Sequence, residues 1–171
     1  MRLAYRVAVV TGGASGIGRA LARRAAAEGA TGVVVADLDG AGAEAVAGEI
    51  GAAALGVGCD VTREADVRGM LDRAERAFGP VDAFFANAGI MAGADEQTPD
   101  DAWDRALAVN LRAQIVAARL LVPGWLERGG GCFVVTASAA GLLTQIGVAP
   151  YAVTKHAAVA FAEWLDRKSV V

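Results

Sequence analysis

Tyr151 and Lys155 stand four residues apart, a spacing that puts both side chains on one face of a helix. Both types are scarce here: tyrosine recurs only at Tyr5, and of 16 basic residues only Lys155 and Lys168 are lysines. A free tyrosine titrates near pH 10, so it serves as an acid/base near neutrality only if a fixed ammonium favours its phenolate. Lowering that value by about 3 units requires roughly 4 kcal/mol, and a cation in a partly dry site can supply much of it. Lysine suits the task because its compact charge can lie under the ring and also donate to sugar hydroxyls, whereas a guanidinium fork has a different shape. The pair points to proton transfer at a substrate oxygen.

A second set of residues has the chemistry of an anion cradle. The run Thr11-Gly12-Gly13-Ala14-Ser15-Gly16-Ile17-Gly18 lies between a Val-rich segment and a helix-like one. Its glycines let the chain turn sharply and let a pyrophosphate approach a helix N-terminus, where free N–H groups and the helix dipole favour negative charge. Gly12, Ser15, Gly16, Ile17 and Gly18 are the candidate contacts. Alone, such a loop equally well closes an ordinary β-α turn. Asp37 strengthens the case, because a carboxylate ending the second strand can accept hydrogen bonds from adenosine ribose hydroxyls. It would repel a 2′-phosphate, and no Arg or Lys occurs within 36–40, so the pattern favours NAD over NADP.

The elements that must position these residues follow from hydrophobic periodicity. Apolar runs at 6–11, 32–36, 54–59, 81–86 and 132–138 lack strict polar alternation, as parallel strands covered on both faces do. Helices are predicted over 16–28, 41–50, 63–78, 100–127 and 149–165, with Gly29, Gly51, Gly79 and Gly129 as stop signals. The alternation implies an α/β fold, a doubly wound parallel sheet, in one domain over 1–165. Residues 166–171 break the apolar pattern and contain the second lysine; the hexapeptide matches a translated sequencing adapter, and the expectation is a non-native tail.

A chain that is 55% hydrophobic with net charge -3 gives no electrostatic reason to expect nucleic acid or an anionic membrane. Cys59 and Cys132 are too few for a disulfide scaffold, and no basic-then-apolar leader precedes the first strand, so a cytoplasmic protein is expected. The uncharged stretch 129–154 is long enough to cross a bilayer, but its glycines, Pro150, Thr136, Ser138, Thr144 and Gln145 argue against a span. No metal site is expected. Cys59 and Cys132 read as core thiols, Trp103, Trp125 and Trp164 as packing or interface residues, and His156 as facing away from Lys155.

Taken together, the loop at 11–18, the Asp60-Val61 pair, Asn87-Ala88-Gly89, Asn110, Ser138 and Tyr151-x-x-x-Lys155 resemble the short-chain dehydrogenases/reductases of the typical branch. The resemblance implies a Rossmann fold in which strands 1 to 5 are present and the last two are missing, leaving the fifth as a sheet edge. It implies Tyr151 as general acid/base, Lys155 as its electrostatic partner and ribose anchor, Ser138 orienting the substrate oxygen, and Asn110 holding a water that links Lys155 to solvent. Asp60 and Val61 would contact adenine, and Asn87, Ala88 and Gly89 would line the cofactor. The implied reaction is NAD-dependent hydride transfer between a small-molecule alcohol and its carbonyl, in a full-length parent that is a homodimer or homotetramer. A non-catalytic dinucleotide-binding fragment is the alternative. Sugar-nucleotide epimerases share Tyr-x-x-x-Lys, but their loop spaces its glycines differently from Gly12 and Gly16.

Overall fold

Valine-rich segments form the centre of the molecule because their branched side chains pack on a pleated surface buried on both faces. The computed structural model describes residues 3–168. Its strands are β1 (Val7–Thr11), β2 (Gly32–Asp37), β3 (Ala54–Gly58), β4 (Ala83–Ala86) and β5 (Cys132–Val135). They form one parallel sheet in the order β3-β2-β1-β4-β5. This is the predicted doubly wound α/β architecture, and its Rossmann-like reversal between β1 and β4 opens a crevice at the strands' carboxyl ends.

Alternate strand residues feed two cores. Val7, Val9, Val34, Ala36, Val57 and Phe84 pack on one face with α3 (Glu64–Phe78) and a later helix that carries Leu121 and Trp125. Ala8, Val10, Val33, Val35 and Phe85 pack on the other with α1 (Gly16–Ala27) and α2 (Gly40–Ile50). Each fully buried valine contributes about 1.5–3 kcal/mol of transfer free energy, so this centre fixes the register. Small residues set the layer spacing: a Cβ at Gly56 would meet the α2 backbone at Glu44, so α2 lies close on β3. The helix-stopping glycines behave as predicted, with Gly29, Gly51, Gly79 and Gly129 all at positive φ.

The predicted single helix over 100–127 is three segments. It comprises α4 (Asp100–Leu107), a π-helical turn (Ala108–Arg112) and α5 (Ala113–Arg128). The turn is centred on Asn110, whose buried side chain bonds outside the helix, and such insertions widen a helix locally. The run Asp100–Arg128 is long and apolar enough to cross a membrane by length and composition, but Ala117, Leu121 and Trp125 bury its inner face in the core. The uncharged stretch after it folds as β5, a 3-10 turn (Ala139–Gly141) and loops before α6 (Ala149–Lys168). Strand β5 ends at Val135, earlier than the predicted 138, because Ser138 turns to cap the 3-10 segment. Helix α6 also runs past the predicted 165, through Asp166 and Arg167, without a break at the expected tail; residues 169–171 lie outside the described residues.

Candidate active site

An open cleft of about 670 Å³ lies across the carboxyl ends of the strands, within the range of cofactor sites of about 300–1,000 Å³. It runs from Asp37 and Leu38 past the 12–18 loop to Tyr151 and Lys155. Gly12 has φ +64°, and a Cβ at Gly18 would collide with the Gly12 carbonyl, so the loop can close onto α1 only without side chains there. Ser15 is the N-cap of α1 yet its hydroxyl makes no capping bond, and the first turn carries no acidic residue. Gly16, Ile17 and Gly18 thus offer first-turn N–H groups and a positive dipole end to an anion.

At one end of the cleft, the Asp37 carboxylate accepts from the Ala14 N–H at 3.0 Å and the Asp39 N–H at 3.0 Å, which fixes it against the loop. Asp60 and Val61 line the same end. Hydrogen bonds from the Thr62 hydroxyl and then its N–H hold the Asp60 carboxyl below its usual range. Cys59 is buried there, and burial, followed by the charges of Asp66 and Asp60, pushes its thiol up to about 11.

The middle of the cleft is stitched by Asn87. Its amide donates to the carbonyls of Thr11 and Gly12 at 3.0 and 3.2 Å, and its Oδ1 accepts from the Thr136 hydroxyl at 3.0 Å. One side chain thereby ties β1, β4 and the chain leaving β5. Ala88 lines the cleft, and Gly89 leaves space that brings Asn110 Oδ1 and Lys155 Nζ within 3.3 and 3.4 Å of where a Cβ would sit. Asn110, fully buried in its π turn, donates to the Ile90 carbonyl at 2.9 Å and to the Thr154 hydroxyl at 3.0 Å, and accepts from the Ile90 N–H at 2.8 Å. Its own carbonyl accepts from Gln114 Nε2 at 2.6 Å.

At the other end, the first turns of α6 present Tyr151 and Lys155 on one face, as their spacing requires. Lys155 Nζ lies 5.6 Å from the Tyr151 ring centroid and donates to the Thr136 carbonyl at 2.8 Å. Burial lowers the Lys155 pKa from its ordinary value. A cation over a ring face at this distance interacts with the π system while its remaining N–H donors stay available. Ser138 follows the cleft-lining Thr136 and Ala137, and its hydroxyl oxygen accepts from the Ala140 N–H at 3.2 Å.

Comparison with known proteins bears on this geometry. The family model described as short chain dehydrogenase matches residues 6–169. The chain belongs to the short-chain dehydrogenase family. It is 42% identical to a protein named inactive 2-(S)-hydroxypropyl-CoM dehydrogenase 2, of Xanthobacter autotrophicus, over 80% of this chain and 60% of that one. It is 39% identical to 3beta-hydroxysteroid dehydrogenase 2 of Eggerthella lenta, over 92% of this chain and 62% of that one. A crystal structure of a short chain dehydrogenase/reductase from Burkholderia phymatum in complex with NAD superposes with a TM-score of 0.92 at 34% identity, over 96% of this chain and 60% of that one. The chain thus spans about three fifths of the length of these family members.

Within the short-chain dehydrogenase frame, the fold brings Gly12, Ser15, Gly16, Ile17, Gly18, Asp37, Asp60, Val61, Asn87, Ala88, Gly89, Tyr151 and Lys155 to one cleft. Asn110 lies just beneath it. Ser138 is not among the lining residues and follows Thr136 and Ala137, which are. Sequence reasoning missed Thr136 and Thr154, which tie Lys155, Asn87 and Asn110 together. Their one signal was position: Thr154 falls between Tyr151 and Lys155 on a helix, three residues from the tyrosine whose carbonyl its hydroxyl also contacts at 3.0 Å.

Proposed function

We propose that this chain forms the cofactor-binding and acid/base portion of an NAD-dependent oxidoreductase that interconverts an alcohol and its carbonyl. The observation that carries this reading is the opening of Tyr151, with the Lys155 ammonium 5.6 Å from its ring, onto the same cleft as the glycine loop and Asp37. The residues present suit a dinucleotide: the 15–18 turn for its pyrophosphate, Asp37 for a ribose, Asp60 and Val61 for adenine, and Lys155 for the second ribose. NAD, when bound, accepts or supplies the hydride. Tyr151 gives a proton to the carbonyl oxygen during reduction and takes it back during oxidation, and Ser138 orients that oxygen. The Lys155 charge attracts the phenolate and so favours the proton's departure. Positioned proton transfer of this kind contributes about 100-fold to 10,000-fold.

Asp37 carries the preference for NAD, since a 2′-phosphate would place two negative groups together with no cation in 36–40. The test is calorimetry with NAD and NADP on the 171-residue chain, together with NADH oxidation over a panel of carbonyls. Binding of NAD with turnover supports the enzyme reading; NAD binding without turnover favours the alternative, a dinucleotide-binding fragment. Tighter binding of NADP than NAD overturns the role given to Asp37, and Asp37→Ser is expected to narrow the preference about 10-fold.

A further inference from the structure

Helix α5 begins with a buried polar side chain in a stripe that is otherwise apolar or aromatic. Its other buried residues are Ala113, Ala117, Ala118, Leu121 and Trp125, yet its second residue, equally buried, is Gln114. The Gln114 amide donates to the Asn110 carbonyl at 2.6 Å, one turn back in the π segment. Its Oε1 has no hydrogen-bond partner among the described residues. Water gives little relief, because the void that Gln114 lines measures about 10 Å³, at the lower limit for a single molecule. The other walls of that void are apolar residues such as Val67 and Phe84, and Thr11, whose hydroxyl is already bonded to the Phe85 carbonyl. Turning the amide over would set Oε1 against the Asn110 carbonyl. A buried acceptor without a donor costs stability, and an apolar side chain of the same length would avoid that cost. What Gln114 supplies is one donor at the centre of the π turn.

From that donor, hydrogen bonds run on to the helix of the acid/base pair. Asn110, whose carbonyl Gln114 holds, donates through its side chain to the Thr154 hydroxyl at 3.0 Å, and that hydroxyl donates to the Tyr151 carbonyl at 3.0 Å. Asn110 and Thr154 are both fully buried, so solvent does not compete for the bond between them. The π turn also packs directly against α6. Such turns depart from the regular helical ladder, so their shape depends on the side chains that bond to them. A shift of the turn moves Thr154, and with it the backbone of Tyr151, relative to a cofactor in the cleft. Displacements of about 1 Å from a reactive geometry can cost on the order of 100-fold in rate.

We propose that Gln114 is a positioning residue for the acid/base pair: it pins the π turn at the Asn110 carbonyl, and through Asn110 and Thr154 the turn sets where Tyr151 meets the substrate oxygen. This rests on the oxidoreductase reading above and adds a residue to it. The experiment compares the parent chain with Gln114→Met, Thr154→Val and the double variant, each close in shape to what it replaces. NADH oxidation is followed with cyclohexanone, acetophenone and acetaldehyde, and NAD affinity and the thermal midpoint are measured on the same preparations. Gln114→Met is expected to lower kcat about 10-fold while KM stays within about 2-fold, NAD affinity within about 3-fold and the midpoint within about 4 °C. Thr154→Val is expected to do the same. The double variant is expected to lie within about 3-fold of the slower single variant, because both cuts fall on one chain of bonds. An unchanged kcat in Gln114→Met, or a double variant slowed by the product of the two single effects, overturns the role. A fall in NAD affinity or in the midpoint beyond those limits shows that Gln114 serves packing alone, and overturns it as well. A parent chain that fails to bind NAD, or that binds it and reduces none of these carbonyls, instead removes the oxidoreductase reading, and the positioning role falls with it.

Discussion

The centre of the sheet and its β4–β5 flank are held together by different forces. Strands β1 and β2 are buried along nearly their whole length, whereas every residue of β5 is only half-buried. Around the first pair, valine and alanine packing fixes the strands whose ends carry the glycine loop and Asp37. Around the second, polar side chains do the positioning: Asn87 ties Thr11 to Thr136, Thr136 receives Lys155, and Asn110 joins Ile90 to Thr154. Hydrophobic burial makes a platform for the glycine loop, and directional hydrogen bonds place Lys155 and its neighbours beside it. The two halves should therefore fail differently when damaged.

The largest effect is expected at the rigid half. Gly18→Ala drives a methyl into the Gly12 carbonyl and toward Asn87 Nδ2 at 2.7 Å, so NAD affinity measured by calorimetry should fall at least about 100-fold. An unchanged affinity would mean that the loop yields more readily than its packing suggests. On the flank, Asn110→Ala leaves the half-buried Ile90 N–H and carbonyl without their side-chain partner and removes the amide that donates to the Thr154 hydroxyl. Denaturant titration should show a loss of about 3 kcal/mol, with the loop at Ile90 freed. A loss under about 1 kcal/mol would remove the claim that polar stitching holds this side.

The split between these halves also explains what the sequence revealed. Val33, Val34 and Val35 could hardly be anything but a central strand, and Gly12, Gly16 and Gly18 are dictated by a turn that side chains would block. Tyr151 and Lys155 were legible because helical spacing and rarity coincide. The π turn at Asn110 was not, since its cause is a set of bonds to Ile90 and Thr154 that are distant in sequence. Ser138 read as a strand residue because apolar neighbours mask its turn-capping role, and Thr136 looked like one more β-branched strand residue. Packing leaves a periodic trace in sequence; a long-range hydrogen bond leaves none.

The smallest effect concerns Cys59, buried just after β3 in the lining of the cleft. Its thiol is raised from 9.0 to about 11 by burial first. The unfolded chain therefore loses this proton before the folded one, and stability contributed by the neutral thiol is complete below pH 9 and declines as the pH rises toward 11. The lowered Lys155 pKa works in the opposite direction, so the measurement is the difference between the parent chain and Cys59→Ala. The parent should lose about 1 kcal/mol relative to the variant across that window, and parallel pH profiles would show that Cys59 is not shielded.

The most direct test of the central claim is NADH oxidation by Tyr151→Phe, with NAD binding measured on the same preparation. Removing this one hydroxyl should leave NAD affinity within about 3-fold and lower turnover at least about 100-fold. Retained turnover in the phenylalanine variant would contradict the assignment of Tyr151 as the proton donor and acceptor.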